Sequence, residues 1–187
     1  MKKMYYNLLK GENTVLRGFV AEEFARYTLS KRLPILIIRP VKALKILDEA
    51  SIVGRYVDFI RKNQQTMDFI GITPYYKDDP FRLRREEIIC QFFYEKEGLT
   101  RFLLNNASSK QLDGYIIEVK SRTSTDSWAP FQYSFSPNQL EMIDQSQKYN
   151  FNIILSGVTF ASDWNLSVVF CDHNQRILSE EFFKTHQ

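Results

Sequence analysis

Apolar positions recur along the chain in two rhythms, one near 3.6 residues and one near two, and these divide it into helices and strands. From Thr14 to Lys31 the rhythm is helical. Val15, Phe19, Ala25 and Leu29 fall near one face, and Asn13 or Thr14 suits the cap. Pro34 closes that helix, and the apolar run Ile35 to Ile38 between two prolines reads as a strand. A helical period returns from Val41 to Asn63, where Ile46, Ala50, Val53, Val57 and Ile60 recur at steps of four and three. Met67 to Thr73, MDFIGIT, predicts a strand closed by Pro74. The next stretch, YYKDDPFRLRREE, is polar and basic and reads as an exposed loop. Ile88 to Tyr94 and Leu99 to Leu104 suit a hairpin turning at Glu97-Gly98, with helix as the alternative for either, and Asn105 to Lys110 reads as a loop. Gly114 to Lys120, GYIIEVK, is the clearest strand. Ser136-Pro137-Asn138-Gln139 has the signature of a helix start, with Ser as cap, Pro at the first helical position and Gln three residues after the cap. That helix runs toward Tyr149, and Asn152 to Thr159 and Leu166 to Cys171 are two further strands. The order predicts an α/β fold, with a central mixed β-sheet flanked by helices.

Composition narrows this only a little. A chain of 187 residues suits one domain, 1–187, with a sizeable core. The net charge of +3 permits nucleic-acid binding without demanding it. Cys90 and Cys171 lie in apolar runs and form no CxxC pair, so a disulfide framework and a cysteine zinc site are not expected, and a reducing, cytoplasmic setting fits. The basic N-terminus lacks the apolar stretch of a secretory signal, and no apolar run is long enough to span a bilayer, so no membrane association is expected. His173 and His186 have no partner at a metal-binding spacing. There is no GxSxG, no P-loop and no GxGxxG.

The anomaly is GYIIEVKSR. Tyr115, Ile116, Ile117 and Val119 mark a strand that wants burial, yet it carries Glu118 and Lys120, whose two-residue spacing puts them on one face. Charges among apolar neighbours are costly unless each has a partner, and a metal ion with a phosphate would supply both. Mg²⁺ takes carboxylate oxygens and water, and an adjacent ammonium can orient water or offset charge on the phosphate. The structural alternative is an exposed Glu–Lys pair at a strand end, since a bare ExK tripeptide is common.

The surroundings of this strand resemble the PD-(D/E)XK nucleases, in particular archaeal Holliday-junction resolvases and related nucleases of archaeal viruses. The matching pieces are GFVAEEFARYTL, MDFIGI, IEVKSR, SPNQLEMI and NIILSGV, in that order. The resemblance implies a restriction-endonuclease-like core, α-β-β-β-α-β, with an insertion at about 75–110. It implies a DNA endonuclease using Mg²⁺ or Mn²⁺, acting on branched DNA such as Holliday junctions. A homodimer is implied too, since cutting two strands of a junction favours two symmetric sites. If the source is viral, the setting becomes the host cytoplasm. Glu118 would be a metal ligand and Lys120 the catalytic lysine, with the backbone carbonyl of Val119 also facing the metal. Gln139 would hydrogen-bond near the lysine or the phosphate, although a capping-box role explains it equally well.

Asp68 begins an apolar strand, the setting the family uses for its aspartate, and is preferred as the second ligand. Asp58 lies in a helical stretch, and Asp113, five strand residues away, would sit about 17 Å from Glu118 on the opposite face. Glu22, three residues from Phe19 and Ala25, is preferred over Glu23 as the helix glutamate. Arg82, Arg84, Arg85 and Arg122 are candidate DNA contacts, with a solvated charged surface as the alternative. Trp128 could stack on a base or cover the core. A rival to the enzyme is a nucleic-acid-binding protein that keeps the fold but has lost the aspartate. The feature that separates them is an aspartate within metal-bridging reach of Glu118.

Overall fold

The computed structural model describes residues 14–33, 35–49, 51, 55–72, 114–125, 131–149, 151–162 and 165–185. Helix α1 (Thr14–Arg32) leads into strand β1 (Leu36–Ile38). Helices α2 (Pro40–Glu49) and α3 (Arg55–Asn63) precede β2 (Phe69–Ile72) and the long β3 (Gly114–Ser124). Then come α4 (Pro137–Ser146), a 3₁₀ turn (Gln147–Tyr149), β4 (Phe151–Ala161), β5 (Leu166–Cys171) and α5 (Glu180–Thr185). The proposed insertion at 75–110, with Arg82, Arg84, Arg85 and Cys90, lies outside the described residues, as do Asp113, Trp128 and His186.

The strands form one mixed five-stranded open sheet in the order β1-β2-β3-β4-β5. Every neighbouring pair is antiparallel except β3 and β4, which run parallel over Gly114↔Phe151 to Ser124↔Ala161. A parallel pair needs a crossover, and α4 lies on it. Strand alternation sends Ile116 to one face, where it packs with α2, α3 and α4 through Leu47, Ile60 and Met142. Tyr115 and Ile117 go to the other, where α1 and α5 cover them through Leu29 and Phe183. This is helix on both faces of a sheet, an α/β architecture. Burying a side chain such as Leu29 fully contributes about 2 kcal/mol.

Two features differ from expectation. The helix expected over Val41 to Asn63 is two helices. Ser51 adopts a left-handed φ of 55° and its N–H donates to Asp48 O, which ends α2 as an αL cap does. The apolar period bridged a break that it could not register. Second, Val15 and Phe19 do not join Ala25 and Leu29 on the buried face of α1. The buried stripe is Ala21–Ala25–Leu29, at strict four-residue steps, while Phe19 is 56% exposed. Its first two members, Ala21 and Ala25, are small and let that part of α1 lie close to β3 and β4. Among the described residues no helix is long and apolar enough to cross a membrane.

Candidate active site

The β2–β3 register runs Phe69↔Ile117 to Ile72↔Gly114. One step further brings Asp68, the residue before β2, opposite Glu118. The ladder stops there, and a side chain takes over from the backbone. The N–H of Val119 donates to Asp68 Oδ2 at 2.7 Å. Asp68 is thus held by charge-assisted bonding to the strand that carries the Glu–Lys pair. Burial raises the Asp68 pKa to about 6, opposed by that backbone bond.

Glu118 is only 2% exposed and shares its sheet face with Ile116 and Leu155. Its Oε1 accepts from Lys120 Nζ at 2.9 Å and from the Gln139 side-chain amide. Its Oε2 is buried and has no hydrogen-bond partner. Desolvation comes first, and the neighbouring Asp68 charge second, in pushing its pKa up to about 8. The Lys120 ammonium opposes both. A buried carboxylate that keeps one oxygen unpartnered costs stability, so the arrangement suits a cation that would complete it.

Lys120, on the same face, donates from Nζ to Gln139 Oε1 at 3.1 Å and sits 5.9 Å from the centre of the Phe135 ring. Gln139 belongs to a complete capping box. Its Oε1 also accepts from the Ser136 N–H at 3.0 Å, and Ser136 Oγ accepts from the Gln139 N–H. Capping and the site contact are therefore one structure. The cap fixes the amide with its oxygen toward Lys120 and its NH₂ toward Glu118.

Glu22, at the middle of α1, accepts from Arg39 at 2.7 Å. Its negative charge raises the pKa of both Asp68 and Glu118, so it borders the pair. Glu23 pairs with Arg26 at 2.6 Å and lies 3.6 Å from Arg39. Arg39 also sits over the Phe69 ring at 5.0 Å and lowers the Asp68 pKa electrostatically. Sequence reasoning passed over Arg39. The available signal was a cation set between an apolar strand and a proline. Asp58 stands apart on α3, exposed and 3.4 Å from Arg61. Arg122 donates from Nε to Thr159 Oγ1 at 3.1 Å. His173 is exposed beside Asn174.

Asp68, Glu118, Lys120 and Gln139 thus meet at the end of β2, with Glu22 alongside. Among the described residues no group of three or more His, Cys, Asp or Glu forms a ligand set. A divalent cation here would take two carboxylates and fill its shell with backbone oxygen and water, the habit of Mg²⁺. The donor set is all oxygen, and the unpartnered Glu118 Oε2 has room in its bonding for such an ion, so the residues fit a hard cation.

Tyr133 supports the floor of this face. Its hydroxyl donates to Leu155 O at 3.2 Å, and its ring lies between those of Phe131 and Phe135. Phe131 rests directly on Gly157, where an added Cβ would fall 2.5 Å from its Cγ. Gly157→Ala is expected to lower stability by about 1–3 kcal/mol. A thermal melt with fluorescence of the aromatic cluster checks it, and an unchanged midpoint would show that Phe131 moves freely.

No family model, no curated protein and no solved structure matches this chain.

Proposed function

We propose that this protein is a metal-dependent DNA endonuclease with a restriction-endonuclease-like core, acting in a cytoplasmic setting on branched DNA such as Holliday junctions, and working as a homodimer. One observation carries the reading. Two carboxylates far apart in sequence, Asp68 just before β2 and Glu118 on β3, are gathered beside Lys120, and one buried Glu118 oxygen has no partner. A purely structural ion pair would need neither the second carboxylate nor the unmet oxygen.

In this reading Asp68, Glu118 and the Val119 carbonyl hold Mg²⁺ or Mn²⁺. The cation, when bound, supplies a Lewis acid for the phosphate and makes nearby water more acidic. Lys120 meanwhile turns its ammonium from Glu118 toward a phosphate oxygen or the attacking water. It offsets negative charge as the new P–O bond forms and the old one breaks. Gln139 keeps Lys120 in place through the cap it shares with Ser136. Glu22, anchored by Arg39, borders the carboxylates and keeps their surroundings negative, favouring a cation over an anion. The branched substrate and the dimer rest on the resemblance of IEVKSR, SPNQLEMI and their flanking pieces to the resolvases.

The test is cleavage of a panel of branched and linear DNAs with Mg²⁺, with Mn²⁺ and with chelator. Metal-dependent cutting is expected, and Lys120→Ala should slow it roughly a hundred-fold or more. If wild type and Lys120→Ala cut equally, Lys120 leaves the mechanism. Tight, salt-sensitive binding without any cutting would instead favour a non-catalytic DNA-binding protein.

A further inference from the structure

We propose that Arg122, mounted on Phe131 and tied to Thr159, is a second phosphate seat beside the reacting one, so that the site takes a polynucleotide strand laid along β3. This rests on the nuclease reading and extends it to how the substrate is engaged. Arg122 follows Lys120 by two residues on β3, on the same face and about 7 Å further along the strand. That step is of the order of the distance between neighbouring phosphates in one nucleic-acid chain.

Each of the two cations rides on its own ring. Lys120 lies over Phe135 at 5.9 Å, and Arg122 lies over Phe131 at 5.0 Å. Tyr133 locks the two rings together, 4.9 Å from Phe131 and 6.0 Å from Phe135, with its hydroxyl bonded into β4. The floor is set by β4. Gly157, the register partner of Lys120, leaves room for Phe131, and Thr159, the register partner of Arg122, accepts from its Nε. Ring and hydroxyl together fix the guanidinium plane before any ligand arrives. A guanidinium presents N–H donors in a rigid fork that matches a phosphate, and one already fixed loses little freedom on binding. Covering Phe131 alone would need only an aliphatic stem. The tether through Nε orients the charge itself, which a covering role does not require.

The experiment compares Arg122→Met, which keeps the stem over Phe131, with wild type and Lys120→Ala. Two substrates are used with Mn²⁺: a duplex oligonucleotide, and bis(p-nitrophenyl) phosphate, a lone phosphodiester with no neighbouring phosphate. Arg122→Met is expected to lose about ten-fold more kcat/KM on the oligonucleotide than on the small diester, chiefly through KM. Lys120→Ala should lose on both alike. In metal-free binding, Arg122→Met should lower the slope of log affinity against log salt by about one. Arg122→Lys, which keeps the charge but not the fork, should restore the salt slope and recover only part of kcat/KM. Equal losses on the two substrates, or no loss on either, would overturn the seat. If wild type cuts neither substrate, the nuclease reading fails separately, and an unchanged salt slope would then remove the seat as well.

Discussion

Asp68→Asn is expected to keep the fold and to cost cleavage roughly a hundred- to a thousand-fold, the several kcal/mol that a cation contributes at a phosphoryl centre. The substitution is close to isosteric. Its amide oxygen can still accept from the Val119 N–H, the bond that Asp68 makes at 2.7 Å. What disappears is one of two negative charges available to a divalent ion. Titration of Mn²⁺ followed by calorimetry should therefore show weakened binding in a protein whose thermal midpoint is held or raised. Asp68 is among the causes raising the Glu118 pKa, and removing its charge relieves Glu118. Wild-type cutting by Asp68→Asn at the same metal midpoint would show that Asp68 is only a cap on the end of β2. The substitution also divides the two readings of the chain, because a DNA-binding protein without catalysis should tolerate it.

Much of this site was legible because strand geometry is stiff. A period of two puts Glu118 and Lys120 on one face whatever surrounds them, and the pair indeed meets at 2.9 Å. Ser136, Pro137 and Gln139 announced the start of α4 through backbone bonding rules that act within four residues. Asp68 was harder, since its partner is fifty residues away in sequence. Its place depends on register, and the pattern of one strand does not reveal which neighbour it will pair with. The error on α1 has a similar root. Val15 and Phe19 are more apolar than Ala21, yet the helix turns its alanines to the sheet, because close packing against β3 and β4 favours small side chains there. Nor does local sequence reveal that Gln139 serves cap and site at once. That follows only when the crossover through α4 brings the cap against β3. Arg39 escaped for the same reason, as its partners Glu22 and Phe69 lie on two other elements.

Raising the pH from 5 to 8.5 should destabilise the metal-free protein by on the order of 3 kcal/mol, a drop of roughly 10 °C in Tm. The sign follows from proton counting. Burial raises Glu118 from the ordinary carboxylate range to about 8, and Asp68 to about 6. Between those ordinary values and the raised ones, the folded chain holds more protons than the unfolded chain. Stability therefore falls as pH rises through that window, the reverse of a carboxylate whose pKa is lowered on folding. Glu118→Gln should remove most of the slope. Its neutral amide bears burial better, and its oxygen can still accept from Lys120. A divalent cation should act in the opposite direction, because it binds the carboxylates deprotonated. Millimolar Mg²⁺ should raise Tm at pH 8.5 far more than at pH 5, and should do little for Glu118→Gln at either. Melts at the four combinations of pH and metal, for both proteins, measure all of this. A wild-type Tm that rises steadily from pH 5 to 8.5 without metal would mean that Glu118 is ionised and satisfied in the folded chain. The case for a cation at its unpartnered oxygen would then be lost, even with Lys120 and Gln139 where they are.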